Sequence, residues 1–189
     1  VLWGTDPSYS NPAGGGQAIV TLRTKGVKTV VIDPRFIPEA QRADVWLPIR
    51  PGTDVALMLG WMRYIIEQKI YDEDFVMHWT NLPYLVNVET KMLVHADEID
   101  PKGDKGTYVV WDKKTKSPKA IKYPWDDALD PELDGEFEYQ GKKYKTGFRC
   151  LKERVEPWTL EATAKECWLD PKKIEEAIKV YADGPSGIA

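Results

Sequence analysis

The chain has 189 residues, of which 42% are hydrophobic and 30% charged, and its 26 basic and 30 acidic side chains sum to a net charge of −4. This length and composition suit one folded domain, with or without an inserted segment. The negative charge disfavours a nucleic-acid partner or an anionic membrane surface. No apolar run of about 18 residues is present, so direct membrane insertion is not expected.

The first third of the sequence alternates between predicted strands and predicted helices. Short apolar runs end at Trp3, Ile32 and Ile49, and a helix is predicted between the first two, ending near Gly26. A strand–helix–strand order predicts a right-handed βαβ unit. We therefore predict an α/β fold over residues 1–82, with a Rossmann-like parallel sheet flanked by helices that forms a dinucleotide-binding core.

The segment 55–68 predicts the most regular helix of the chain. Its apolar side chains occur on nearly every side, which is typical of a helix buried among other elements. Thr53 or Asp54 precedes it, and either side chain can cap the helix by accepting hydrogen bonds from free N–H groups at its start. A shorter helix is predicted from Asp72.

Residues 83–148 differ from the rest because they carry many charges of both signs between scattered Gly and Pro residues. Three runs are typical of strands, and Gln140–Gly141 fits the turn of a hairpin. We predict an ordered, charged, β-rich insertion rather than a disordered linker. The strand-like runs are 107–111, 120–123 and 136–146.

Residues 149–189 return to a helical pattern and are predicted to pack back on the α/β core. Asp170 and Pro171 fit the start of the last helix, and Gly184 is predicted to end it. Four apolar side chains of this helix share one face, which we predict to be buried. They are Ile174, Ala177, Ile178 and Tyr181.

The cysteines and histidines do not suggest a metal site or a nucleophile. Cys150 and Cys167 stand alone in helical segments, where they are predicted to be small core residues. With His78 and His95 as the only histidines, a zinc site or a Ser-His-Asp triad built within this chain is disfavoured. We predict no catalytic residue and no metal ligand here.

Three loops are candidates for ligand binding because they could lie together at one edge of the sheet. They are Trp3–Ser10, Asp33–Ile37 and Gly52–Asp54. In an open α/β sheet, ligands bind outside the carboxyl ends of the strands. The first loop precedes a helix start, which suits a phosphate or pyrophosphate.

Polar side chains in the other two loops suit a nucleoside. Asp33 can accept hydrogen bonds from sugar hydroxyls or guanine nitrogens, whereas Arg35 can pair with a phosphate or hold the loop. Each pattern also has a purely structural interpretation: Gly4–Thr5 as a turn, Asp33 as the end of a strand, and Thr53–Asp54 as a helix cap. The glycine-rich fingerprint of nicotinamide enzymes is missing, which disfavours a standard NAD site.

The order and spacing of several motifs resemble the dimethyl sulfoxide reductase family of molybdopterin oxidoreductases. Four motifs fall within residues 1–80, and the segment from Leu151 to Tyr181 is also similar to that family. Residues between these parts are less typical. The four motifs are Trp3–Pro7, Val30–Arg35, Ala43–Leu57 and Tyr71–Val76.

The resemblance implies a specific cofactor. Members of this family hold molybdenum or tungsten between two molybdopterin guanine dinucleotides. The first loop would contact the dinucleotide phosphates and the pterin side, and the other two would form the guanosine pocket. The residues implied are Trp3, Gly4, Thr5, Asp6 and Pro7, then Asp33, Pro34 and Arg35, then Gly52, Thr53 and Asp54. Asp6 departs from many relatives, which have Asn, and an unpaired carboxylate there would repel a pyrophosphate.

The same resemblance implies that this chain is part of a longer enzyme. The iron–sulfur cysteine cluster, the metal-ligating residue and the C-terminal cofactor-binding domain of the family are not in these residues, and the chain begins at Val1 as if within a strand. We expect it to supply part of one dinucleotide site, to retain no cofactor alone, and to be inactive by itself. Its partners would be the remaining domains of the longer chain and, as a further candidate, an iron–sulfur electron-transfer subunit.

Two other functions remain open at this point: a nucleotide-binding or interaction module without catalysis, and an NAD-type dehydrogenase domain. Family members occur in both the bacterial cytoplasm and the periplasm, so the resemblance is compatible with either compartment.

Overall fold

The computed structural model describes residues 1–122 and 128–182. Contacts group the chain into two compact units, one formed by residues 1–70 with the segment from 155 onward, and the other by residues 71–154. The predicted division at residues 82 and 148 stays a prediction. Among the described residues, no helix combines the length and the apolarity needed to cross a membrane.

The first unit contains the α/β part of the chain. Its elements are β1 (Leu2–Trp3), α1 (Pro7–Ser10), a π-helical turn (Pro12–Gly16), α2 (Gln17–Thr24), β2 (Val30–Ile32), α3 (Pro38–Gln41), β3 (Val45–Leu47) and α4 (Asp54–Gln68). The second unit holds α5 (Glu73–Trp79), β4 (Leu85–Asn87), α6 (Ala96–Ile99), β5 (Tyr108–Asp112), β6 (Ser117–Ile121), β7 (Glu136–Tyr139), β8 (Lys142–Thr146) and most of α7 (Gly147–Val155). The helices α8 (Leu160–Cys167) and α9 (Pro171–Ala182) belong to the first unit.

The sheet of the first unit is small and parallel, in the order β1-β2-β3. Alternate residues of β2 point to opposite faces, as in any strand. Ile32 packs into the larger apolar cluster with α4, α8 and α9, whereas Val31 packs into a smaller cluster with Ile37 and Ala40. Both faces of the sheet are therefore covered, and the predicted mixed α/β fold with a parallel sheet is confirmed.

Helix α4 differs from the sequence prediction in its burial. Leu57 and Trp61 are buried against the sheet and the C-terminal helices, but Val55 is 68% exposed and Met58 and Met62 are more than two-fifths exposed. Because α8 and α9 cover one side of α4, the opposite side is left open in this chain. The prediction of a helix buried on all sides is wrong for the described residues.

The second unit is β-rich in its described part. Strands β4, β8 and β7 form one antiparallel sheet, and β5 and β6 form a separate hairpin. Gln140 and Gly141 connect β7 to β8, and both have positive φ, which a type I′ hairpin turn requires. Trp111 stacks on Phe137 with ring centroids 4.2 Å apart. The predicted run 120–123 extends beyond the described residues at Tyr123.

The C-terminal helices also follow their sequence signals. Thr159 caps α8 by accepting a hydrogen bond from the Ala162 N–H. In α9, Ile174, Ala177 and Ile178 are fully buried against the larger cluster, whereas Tyr181, the fourth residue predicted to be buried, packs against this cluster but is only partly buried. The helix end predicted at Gly184 lies outside the described residues.

Gly60 lies where α4 meets α8, and the contact leaves no space for a side chain. A Cβ atom at Gly60 would lie 2.3 Å from the Oγ1 atom of the buried Thr163. We expect Gly60→Ala to lower the free energy of unfolding, because overpacking costs about 1–3 kcal/mol and alanine regains at most about 1 kcal/mol through helix propensity. Urea denaturation of the purified chain measures this difference.

A Thr163→Ala background provides the control for that measurement. It removes the two side-chain atoms nearest to the added methyl group, Oγ1 and Cγ2 of Thr163. Gly60→Ala should therefore cost much less there than in the original chain. Equal costs in both backgrounds would contradict the close α4–α8 contact.

Candidate functional site

The three predicted loops follow the carboxyl ends of the three parallel strands. Trp3 pairs with Ile32, and Ile32 pairs with Leu47, so the strands end side by side. The Gly4 N–H donates to the Ile32 carbonyl at 2.9 Å, which continues the pairing into the first loop. The structure thus brings the first two loops together at the edge where α/β folds bind ligands.

A side-chain hydrogen bond joins the first loop to the third. The Trp3 Nε1 atom donates to Asp54 Oδ1 at 2.7 Å, between residues 51 positions apart in the chain. The Trp3 ring also lies 6.1 Å from the Trp61 ring. No other hydrogen bond to the Asp54 carboxylate is found in the described part of the chain. This carboxylate is therefore fixed in place and keeps acceptor capacity.

The second loop is organised around Asp33, which is 1% exposed. The Arg35 side chain donates to both carboxylate oxygens, at 3.1 and 3.0 Å, and the Arg35 backbone N–H donates at 2.8 Å. Arg35 thereby holds the pKa of Asp33 below its ordinary value, although burial alone would raise that pKa. The Trp46 indole donates to the Asp33 carbonyl at 2.9 Å. Arg35 therefore holds the loop, one of its two predicted roles.

Glycines with positive φ expose the backbone of the first and third loops. Gly4 has a φ of +61° and Gly52 a φ of +83°, and a Cβ atom at either position would have no neighbour within 4 Å. The amide groups beside them can consequently approach a ligand closely. Thr5 and Pro34 are also exposed at this edge.

The cap predicted for α4 is not formed by a side chain. Thr53 occupies the N-cap position, but its hydroxyl donates to the Arg50 carbonyl at 2.7 Å. Asp54 is engaged by Trp3 instead. The predicted capping bond is therefore wrong, because both candidate side chains have other partners.

Asp6 has a local structural partner in the first loop. Its carboxylate accepts a hydrogen bond from the Tyr9 N–H at 3.3 Å and caps α1, whose first residue is the buried Pro7. Asp33 first, and Asp6 to a smaller extent, raise the pKa of Arg35. Arg35 thus also offsets the negative charge of Asp6.

Glu39 supports the site but carries no clear sequence signal. It is 1% exposed, and its Oε1 atom accepts the Ser8 N–H at 2.8 Å, which anchors the start of α1. Burial raises the pKa of Glu39, but several hydrogen bonds, first those from Ser8, together outweigh that effect and the pKa lies below its ordinary value. The sequence feature that could have indicated this role is the position of Glu39 directly after Pro38, in the first turn of α3.

The prediction of a core residue is confirmed for Cys167, which belongs to the larger apolar cluster, but not for Cys150. Cys167 is fully buried and Cys150 partly buried, and both are free thiols. Within residues 1–122 and 128–182, no group of three or more His, Cys, Asp or Glu side chains is placed to hold a metal ion.

The hydrogen bond between Trp3 and Asp54 should be measurable as a coupling energy. Trp3→Phe removes the donor and keeps an aromatic ring, and Asp54→Ala removes the acceptor. Because the acceptor is charged but only partly buried, we expect a coupling of about 1 kcal/mol in the free energy of urea unfolding.

Trp46→Phe is the matched control for this cycle, since it removes an indole donor whose acceptor is a backbone carbonyl. It should show no coupling to Asp54→Ala. If the coupling between Trp3→Phe and Asp54→Ala is also close to zero, the hydrogen bond between these two side chains is contradicted.

The ion pair of Asp33 and Arg35 should appear in the pH dependence of stability. Because the pKa of Asp33 is lowered in the folded chain, its contribution is present above the ordinary pKa of 3.8 and is lost as the pH falls through the lower folded value. Asp33→Asn should therefore reduce stability at neutral pH, and the difference from the original chain should shrink below pH 3.8. Thermal unfolding across this range measures it. Arg35→Ala should remove the same pH-dependent part of the stability. If both variants keep the pH dependence of the original chain, the ion pair does not lower the pKa of Asp33.

Comparisons with known proteins identify the family of this chain. The family model described as molybdopterin oxidoreductase matches residues 1–165. A protein of Halobacterium salinarum, named provisionally as the catalytic component of a dimethyl sulfoxide reductase, is 33% identical over the whole chain and 22% of its own length. The alpha chain of perchlorate reductase from Dechloromonas aromatica is 29% identical over 96% of this chain and 23% of its own length. The chain thus spans roughly a fifth of these relatives.

A solved structure supports the fold. Acetylene hydratase from Pelobacter acetylenicus superposes with a TM-score of 0.56 at 23% identity, over 96% of this chain and 16% of that one. The family match covers most of the chain and includes all three loops of the candidate site. The chain therefore belongs to the molybdopterin oxidoreductase family, as its resemblance to the dimethyl sulfoxide reductase branch predicted.

Proposed function

We propose that this chain forms part of a site for the guanine dinucleotide form of molybdopterin, in an oxidoreductase that uses molybdenum or tungsten. The observation that carries the proposal is the Asp54 carboxylate, held by Trp3 at the edge where three strands end. Family membership supports a molybdopterin cofactor. The nucleotide form and the residues that bind it are our inference.

Asp54 is suited to the edge of a guanine base. Guanine presents an N1–H donor beside an N2 amino donor, and a carboxylate has two oxygens with several lone pairs to accept both. One Asp54 oxygen already accepts from Trp3, which fixes the orientation of the carboxylate. Adenine presents an acceptor where guanine has N1–H, so the same carboxylate would repel it. Asp54 would thus select guanine over adenine.

The first two loops suit the phosphate and sugar part of the ligand. The open space beside Gly4 lets backbone N–H groups approach an anion. Arg35 has an exposed side chain whose positive charge lies beside Asp33 and near Asp6. This charge offsets the repulsion that two carboxylates would otherwise exert on a pyrophosphate. The residues present therefore fit a guanine dinucleotide.

The division of labour between cofactor and chain follows from these contacts. When bound, molybdopterin holds the metal and carries the redox chemistry. Asp54 orients the base, and the Thr5 backbone N–H binds the phosphates in the space that Gly4 leaves open. Asp33 with Arg35 shapes the guanosine pocket. The backbone around these contacts is fixed by the other predicted residues of the three loops, which are Trp3, Pro7, Pro34, Gly52 and Thr53.

The wider context is also a proposal. The small parallel sheet would belong to a Rossmann-like sheet, with residues 1–82 as the dinucleotide-binding core, 83–148 as an insertion and 149–189 as the segment that packs back. Several relatives are named as single subunits of their enzymes, so we propose that the longer protein works with an electron-transfer partner. An NAD-type dehydrogenase or a non-catalytic module is not favoured, since the family match is to molybdopterin enzymes.

Nucleotide titration of the purified chain tests the site. By isothermal titration calorimetry, GDP should bind more tightly than ADP or NAD, because only guanine offers two adjacent donors to Asp54. Asp54→Ala should weaken GDP binding roughly tenfold or more, as expected for lost hydrogen bonds to a charged group.

Glu67→Ala provides a matched control, since Glu67 is a partly exposed acid at the other end of the same helix. This variant should bind GDP like the original chain. NAD binding as tight as GDP binding, or an Asp54→Ala variant with unchanged affinity, would overturn the proposed site.

A further inference from the structure

Trp168 has an unusual backbone conformation and an unusual exposure. It follows the last residue of α8 with a φ of +58°, in the left-handed region, and it is 72% exposed. Glycine usually occupies this position because a side chain is disfavoured there. A large apolar ring in solvent adds no compensating burial. Lys69 ends α4 with the same backbone conformation, so the exposure of the large ring is what sets Trp168 apart.

Arg50 supports one side of the Trp168 ring. Its guanidinium carbon lies 5.2 Å from the ring centroid, in a cation–π contact. The guanidinium is ion-paired with Glu166, and the Arg50 N–H donates to the Cys167 carbonyl at 3.0 Å. The indole is therefore held in position while most of its surface stays open.

The same residues connect Trp168 to the third loop of the candidate site. The Arg50 carbonyl accepts the Thr53 hydroxyl at 2.7 Å. The Cys167 thiol lies 3.6 Å from the Thr53 carbonyl, to which it donates. Thr53 directly precedes Asp54, so the exposed indole and the Asp54 carboxylate are attached to one hydrogen-bonded segment.

We propose that Trp168 is a binding residue that stacks on the face of the purine whose edge is bound by Asp54. This inference rests on the proposed function and extends it to one further residue. A carboxylate recognises only the edge of a base and leaves both faces in water. Aromatic side chains stack on base faces without regard to the pattern of donors, and an adjacent guanidinium strengthens such contacts. Asp54 would select the base, and Trp168 would add affinity.

The test compares GDP affinity in Trp168→Gly and Trp168→Phe variants of the full chain by calorimetry. Trp168→Gly should leave the folded chain at least as stable, because glycine suits the positive φ. Its Kd for GDP should nevertheless rise roughly fivefold or more, the range expected when a stacking side chain is removed. Trp168→Phe should retain most of the affinity. Phe75→Ala, which removes another exposed aromatic ring, should leave the Kd unchanged.

Inosine diphosphate separates stacking from edge recognition. It keeps a purine face but lacks the N2 amino group, so Trp168→Gly should weaken GDP and inosine diphosphate by the same factor. If Trp168→Gly binds GDP like the original chain while Asp54→Ala binds it more weakly, the role of Trp168 is overturned and the proposed function stands. The exposed indole would then contact something other than the nucleotide. If the original chain binds no GDP at millimolar concentration, both fail.

Discussion

The hydrogen bond from Trp3 to Asp54 is the interaction on which the candidate site depends. Strand β1 is only two residues long and lies at an edge of the sheet, so its ladder supplies few hydrogen bonds. The indole adds a tie from β1 to the start of α4, and Trp61 packs beside it. Since the Gly4 loop continues directly from Trp3, its position depends on the same tie.

The charges at this edge are arranged so that one carboxylate keeps capacity for a ligand. The Asp33 carboxylate is bound on both oxygens by Arg35, and that of Asp6 accepts a backbone N–H. Asp54 has a single protein donor among the described residues. A donor-rich base edge suits that carboxylate, whereas phosphates are better placed toward the exposed side of Arg35. The charges thus favour one orientation of the ligand, with the base at the third loop and the phosphates near Arg35.

Much of the fold followed from local sequence patterns because those patterns act over short distances. The apolar run Val30–Ile32 became the central strand, and Gln140–Gly141 became a hairpin turn. The burial of α4 could not be predicted from periodicity, because burial depends on which elements cover each side. Thr53 shows a similar limit: a hydroxyl suited to a cap found an acceptor in Arg50 instead. The supporting residues of the site were harder still, since the buried Glu39 contacts Ser8 over 31 residues and belongs to no motif.

The three loops of the candidate site belong to the first unit, which also contains the C-terminal helices that follow the charged β-rich unit in the chain. These loops lie within residues 1–54, and contacts such as those of Arg50 join them to the α8–α9 connection, which is far away in sequence. Stability and ligand affinity can consequently be separated by experiment: a substitution at Gly60 acts on helix packing, whereas one at Trp168 acts on an exposed ring. A change that weakens affinity without lowering the free energy of unfolding must then act on contacts to the ligand.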